Sequence, residues 1–215
     1  MLKETIVREL RNAIVMGKHK PGEHLTEVSL SKQYHSSRTP IRESLRQLEK
    51  EGLIDIVPNA GAKVVKLSKM DVSNIYDMII TIEGAASRFA CPLITDEQIM
   101  RLEEYQFMLE RAEDQKNYDL AFEINHQFHR LIANSTKNPY LIQVWRNLHH
   151  MVNLFGRFTL SDMVPGQLEA TALEHPPIID ALRKRNPAVA EFVAREHMET
   201  GRKFMLEYLE KYYVD

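Results

Sequence analysis

Ile6, Leu10 and Ile14 recur at every fourth position, with Val7 and Ala13 beside them, which predicts a helix with one buried stripe. It stops near Gly17, and Lys20-Pro21-Gly22 predicts a turn. Thr26, with Ser29 three residues on, opens a short second helix carrying Val28, Leu30 and Tyr34, and His35-Ser36-Ser37 breaks it. Ser37 or Thr39 caps a third helix, with Pro40 in the first turn, where a missing N–H costs nothing. Ile41, Leu45 and Leu48 form its inner stripe. Arg38, Arg42 and Arg46, spaced by four, form a basic stripe beside it. Glu51-Gly52 ends the helix. The runs Leu53–Val57 and Ala62–Val65, on either side of Pro58-Asn59-Ala60-Gly61, predict a β-hairpin.

From residue 69 onward the pattern shows no convincing strand pair. Apolar residues recur at helical spacing through about six segments, near 70–91, 95–115, 117–135, 138–160, 166–185 and 187–212. Pro92, Asn117, Asn138-Pro139, Val164-Pro165-Gly166 and Asn186-Pro187 punctuate them. The chain is therefore expected to be mainly α. Residues 1–68 form a winged helix-turn-helix, and residues 69–215 an all-α bundle of about six helices, long enough to bury its own core.

Composition narrows the class. Of 215 residues, 44% are hydrophobic and 27% charged, an ordinary globular balance, and 8 Gly and 9 Pro are few enough to favour helix. The lone Cys91 excludes an internal disulfide framework and a multi-cysteine zinc site. No apolar run reaches membrane-spanning length, and the N-terminus lacks the apolar core of a signal peptide, so a cytoplasmic protein without a membrane partner is expected. The net charge of −2 hides an asymmetry: residues 1–68 hold 12 Lys/Arg against 8 Asp/Glu, and the remainder is acidic. The third helix would enter a DNA major groove with its N-terminal end, where Arg38 and Arg42 stand. The arginine fork suits guanine O6 and N7, and Lys63 and Lys66 could reach phosphates from the wing. A basic stripe alone is usually a solvated face; its position, opening the third helix ahead of a wing, makes it a DNA-reading face.

The bundle carries the remaining chemistry. Asn125 and His129 share one edge of an inner face marked by Ala121, Ile124, Phe128 and Leu131, and His126 points away. His175 is in register with Ile178, Ile179 and Leu182, and His197 with Val193, Gly201 and Phe204. Three inward histidines from three helices could meet round one ion such as Zn²⁺ or Ni²⁺, or each could be a hydrogen-bonded core residue. Arg146, His150, Asn153 and Arg157 form one polar stripe beside Trp145, Leu148, Val152 and Phe155. That stripe either lines a cavity, where two arginines would clamp a carboxylate effector, or faces solvent. A metal-dependent hydrolase would need an open metal position and a nearby base. HExxH, nucleophile-elbow and phosphate-loop motifs are all absent, so no enzyme is expected.

Gly17-x-x-x-Pro21-Gly22-Glu23-x-Leu25-Thr26-Glu27, followed by Ser37-Arg38-Thr39-Pro40-Ile41-Arg42-Glu43-Ser44-Leu45-Arg46-x-Leu48-Glu49-x-Glu51-Gly52-Leu53, resembles the N-terminal domain of GntR-family transcriptional regulators. The resemblance implies DNA contacts by Arg38, Arg42 and Arg46, phosphate contacts by Ser37 and Thr39, and a wing brought close to the minor groove at Gly61; Lys63 is added as its neighbour. It also implies a homodimer on a palindromic operator. Met70-Asp71-Val72, Tyr76, Ile82-Glu83, Phe128-His129, Glu174-His175 and Glu196-His197 resemble the FadR-type subgroup, whose helical ligand-binding domain is called FCD. Many of its members hold a divalent metal through one Asp and three His, which fall here at Asn125, His129, His175 and His197. Three departures stand out. The Asp is replaced by Asn125, which brings no charge. Pro176-Pro177 follow His175, predicting a helix start or kink there. Ile79 occupies a position where relatives often have Arg.

Overall fold

The structure is a computed structural model that describes residues 2–15, 18–58, 60–66, 68–149 and 167–212. They fall into two compact units, one ending at Ser68 and the other starting at Lys69.

In the first unit, α1 (Leu2–Val15) buries Ile6, Leu10 and Ile14, the stripe that its four-residue spacing predicts. His24–Leu25 forms a short strand, β1, that the hydrophobic pattern does not announce. Thr26 caps α2 (Glu27–Gln33) by accepting from the Ser29 amide at 3.1 Å. Ser37 is the cap residue of α3 (Arg38–Lys50), but its side chain makes no capping hydrogen bond; Ile41, Leu45 and Leu48 face the core. Arg11 reaches from α1 to the end of α3 and forks onto Glu51, with Nε at 2.8 Å and Nη2 at 2.7 Å from the carboxylate oxygens.

Strands β2 (Ile54–Val57) and β3 (Gly61–Val64) pair antiparallel with Ile54 opposite Val64 and Val57 opposite Gly61. β1 pairs with the other edge of β3, Leu25 opposite Ala62, giving the order β1-β3-β2. That added strand explains Gly61. Its φ is +100°, and a Cβ there would lie 2.3 Å from the Leu25 carbonyl oxygen. The wing therefore needs glycine to close on its own strand. Gly61→Ala is expected to destabilise this unit by about 2 kcal/mol, read by chemical denaturation, because it combines an unfavourable backbone region with a backbone clash.

The second unit consists of α4 (Lys69–Ala90), α5 (Asp96–Asp114), α6 (Tyr118–Ser135), α7 (139–149), α8 (Gln167–Arg183) and α9 (Pro187–Tyr212). Their starts follow from local chemistry. Thr95 and Gln98 form a reciprocal capping box, Asn117 caps α6, Asn138 accepts from the Tyr140 and Leu141 amides, and Asn186 accepts from Val189. α4 and α9 run antiparallel, tied by Lys69–Glu210, Asp77–Arg202 and Arg88–Glu191 pairs. Gly84 lets them approach: a Cβ there would stand 2.7 Å from Arg195 Cγ. Ile94, Ile99, Leu102, Phe128, Ile132, Ile178 and Leu182 are packed into one core cluster.

Of the helix start or kink expected at His175, the start does not occur: α8 runs from Gln167 through both prolines to Arg183. Both are exposed, whereas His175, Ile178, Ile179 and Leu182 are buried. Packing of that inner stripe outweighs the backbone hydrogen bonds that two prolines cannot donate. Among the described residues no helix is long and apolar enough to cross a membrane.

Candidate functional site

On the first unit, α3 and its cap residue present Ser37, Arg38, Thr39, Arg42 and Arg46, all exposed, over the buried Ile41-Leu45-Leu48 face. Lys63 is exposed on β3. Glu27, which sequence reasoning passed over, begins α2 and accepts from Arg42 Nε at 2.7 Å. An Nε engaged this way leaves both Nη groups for a base edge, and it holds the guanidinium plane at a fixed angle to α3. A groove lined by Glu27, Arg42, Leu45, Arg46, Ile56 and Gly61 runs from this helix to the wing. The signal for Glu27 was its place at the first turn of the preceding helix, facing the recognition helix.

The second unit brings together three of the four residues proposed as metal ligands. One ring nitrogen from each of His129 (α6), His175 (α8) and His197 (α9) lies within 4.8 Å of the others, and all three residues are buried. His129 Nε2 and His197 Nε2 are 3.2 Å apart. His175 lies flat on Phe128, with ring centroids 3.9 Å apart, and among the described residues neither of its nitrogens has a hydrogen-bond partner. Asn125 stands one turn before His129 on α6; its Oδ1 is shielded and likewise has no partner among the described residues.

Two carboxylates set the tautomers. Glu174 Oε2 lies 3.0 Å from His197 Nδ1, and Thr200 donates to its other oxygen at 2.7 Å. Glu83 Oε2 faces His129 Nδ1 at 3.4 Å. An ionised carboxylate only accepts, so each Nδ1 is the donor of its pair and the two Nε2 atoms are turned toward each other. Burial works against ionisation of Glu83, but His129 and His149 outweigh it and hold the carboxyl well below the usual carboxylate range. Burial likewise opposes ionisation of Glu174, and the hydrogen bonds from His197 and Thr200 reverse the direction. Burial, reinforced by the neighbouring histidines, keeps His175 well below its usual value and therefore neutral.

The donor set fits a divalent cation. Two ring nitrogens turned toward each other at 3.2 Å need something positive between them, a proton or a metal ion. Two imidazoles on one tetrahedral zinc have nitrogens about 3.3 Å apart at ordinary Zn–N lengths. The shielded, unpartnered atoms of His175 and Asn125 are what buried ligands look like when their bonds are not to protein. The carboxylate behind an imidazole is the outer arrangement that orients metal-binding histidines. Glu83 was legible only as part of the Ile82-Glu83 motif and Glu174 only as a neighbour of His175: a helical neighbour is turned away from His175, and here Glu174 serves His197 instead.

The effector stripe fares differently. Arg146, read as either lining a cavity or facing solvent, is exposed, and the buried residues of α7 are Leu141, Trp145 and His149. His150, Asn153 and Arg157, its expected companions, lie outside the described residues. His126 does not simply point away: its ring stacks on Trp145 at 5.5 Å. Ile79, where relatives often have Arg, is fully buried.

An arginine-faced winged helix-turn-helix joined to a helical bundle is the architecture of DNA-binding transcriptional regulators. Residues 2–64 match the family described as bacterial regulatory proteins, gntR family, and residues 74–200 match the FCD domain. The chain belongs to the GntR family, and its helical unit is an FCD domain. It is similar to the HTH-type transcriptional repressor RspR of Escherichia coli, 29% identical over 92% of this chain and 86% of that protein. It is equally similar to the uncharacterized HTH-type transcriptional regulator YdhC of Bacillus subtilis, 29% identical over 85% and 81%. Escherichia coli McbR/YncC shares the fold, with a TM-score of 0.83, 19% identity and coverage of 97% and 98%. Family and relatives are transcriptional regulators, not enzymes, which removes the hydrolase alternative.

Proposed function

We propose that the protein is a homodimeric operator-binding regulator whose helical unit senses a small carboxylate-bearing molecule beside a divalent cation, zinc or nickel. Arg38, Arg42 and Arg46 read base edges, Ser37, Thr39 and Lys63 meet phosphates, and Gly61 lets the wing lie against the duplex. His129, His175 and His197 hold the cation, with Asn125 as a neutral fourth ligand. When bound, the cation supplies positive charge and an open position for a carboxylate. Glu174 and Thr200 hold His197, and Glu83 holds His129, so neither imidazole needs to reorient on binding. Asn125 contributes an oxygen without charge, which leaves the centre one negative charge poorer than an Asp-bearing one and favours an anionic effector. A ligand that prefers one arrangement of the paired helical units then shifts operator affinity.

The observation that carries this reading is the pair of facing ring nitrogens, on His129 and His197, 3.2 Å apart beside a His175 whose nitrogens have no hydrogen-bond partner among the described residues. Metal analysis of protein purified without chelator should find about one zinc or nickel per chain, by the three-imidazole donor set. Removal with a chelator should lower the thermal midpoint by several degrees. Metal content near zero together with a melting curve indifferent to chelation would refute it. In the DNA-binding unit, Lys63→Ala should weaken binding evenly across sequences and lower the slope of log affinity against log salt by about 1. An unchanged slope would remove Lys63 from the interface.

A further inference from the structure

Among the described residues Glu83 is the only acidic side chain that is buried, at 1% exposure, and it is not one of the three clustered histidines. Its two oxygens serve two helices. Oε1 accepts from Trp145 Nε1 at 2.7 Å and from His149 Nε2 at 2.5 Å, both on α7. Oε2 faces His129 Nδ1 on α6. Trp145 and His149, one turn apart, stack with centroids 4.0 Å apart and planes 22° from parallel, and His126 of α6 lies against both rings. Leu141 and Trp145 pack on Ala86 and Ala133, so the same stretch of α7 is seated on α4 and α6.

We infer that Glu83 is a positioning residue that couples occupancy of the three-histidine centre to helix α7 through Trp145 and His149. The inference rests on the metal reading above. The asymmetry of the bonds carries it. At 3.4 Å the Glu83–His129 contact is long, whereas both bonds to α7 are short. An imidazole whose Nε2 is coordinated is a stronger Nδ1–H donor, so in the loaded centre this contact tightens and draws the carboxylate toward α6. Trp145 Nε1 and His149 Nε2 are buried and cannot turn to water, and losing their acceptor would leave unpaired buried donors. They follow the carboxylate, and α7 moves with them. Nothing in this chain of contacts requires a change of protonation.

The chain contains one tryptophan, so Trp145 is the sole indole reporter, and it sits inside the relay. Zinc, closed-shell and without redox chemistry, is titrated into chelator-treated full-length protein while binding heat and tryptophan emission are followed together. In the wild type, emission should change in proportion to the occupancy that calorimetry measures. His197→Ala, which removes a ligand, should lose both signals. Glu83→Gln should weaken zinc binding about 10–100-fold, and at saturating zinc it should bind without the emission change. If Glu83→Gln does not fold, as judged by circular dichroism, His149→Phe keeps a stacked ring on Trp145; it should retain zinc binding with a reduced emission response. Binding heat in the wild type without an emission change overturns the relay and leaves the metal reading standing. No binding heat at all overturns both.

Discussion

Changing Arg38 and Arg42 together to alanine is expected to abolish sequence discrimination while leaving a weak, salt-sensitive affinity for any duplex. Both side chains are exposed at the start of α3, beyond the buried Ile41-Leu45-Leu48 face, so their loss leaves the core of the winged unit intact. A bidentate arginine–guanine contact is worth about 1–3 kcal/mol of discrimination, so two such losses come to roughly 30- to 20,000-fold. Arg42 carries the sharper expectation because Glu27 already holds its Nε. The fork does not have to be ordered at the moment of binding, so Arg42→Lys should behave almost like Arg42→Ala. Quantitative gel retardation on a selected operator and a scrambled control would measure both numbers. Equal losses on the two duplexes would mean that these residues contact only backbone.

The second large effect is a reversal of sign. In chelated protein His175→Phe is expected to be neutral or stabilising by about 1 kcal/mol, because a buried imidazole with two unsatisfied nitrogens is costly. Phenylalanine keeps the flat stack on Phe128 that the wild-type ring makes at 3.9 Å. With zinc present the order inverts. At a free metal concentration about a hundred times the dissociation constant, the wild type gains about 2.7 kcal/mol, and a variant short of one ligand gains little. Thermal melts of both proteins, each with zinc and with chelator, test this with four curves. A His175→Phe protein that is less stable than wild type under chelation would show that the imidazole itself stabilises the core and is not held there for a metal.

Much of this was legible before any coordinates. The period of Ile6, Leu10 and Ile14, the Thr26 cap, and the β-branched runs around residue 60 are local signals, and local rules placed those elements. Strand β1 was invisible because two residues carry no periodicity; it exists only because β3 offers an open edge to Leu25. The two prolines after His175 show the opposite failure. A local rule predicted a helix start or kink, and α8 does not start there; the burial of Ile178, Ile179 and Leu182 keeps it continuous through both prolines. Periodicity could turn His129, His175 and His197 inward, but it could not show that they converge, since that depends on how α6, α8 and α9 pack. Nor could it find Glu83 or the true partner of Glu174: a carboxylate that orients another helix's histidine is defined by distance in space, not along the chain. Arg146 shows the limit most plainly, since a polar stripe next to an apolar one marks an amphipathic helix whichever side holds the ligand.

The central claim is that the exposed arginines of α3 read a particular duplex. It is tested most directly by passing fragmented genomic DNA over the immobilised full-length protein and sequencing what is retained. Enrichment of an inverted repeat, lost when Arg42→Ala is immobilised instead, is the expected result. Retained DNA with the same composition as the input, at low and moderate salt alike, would contradict it.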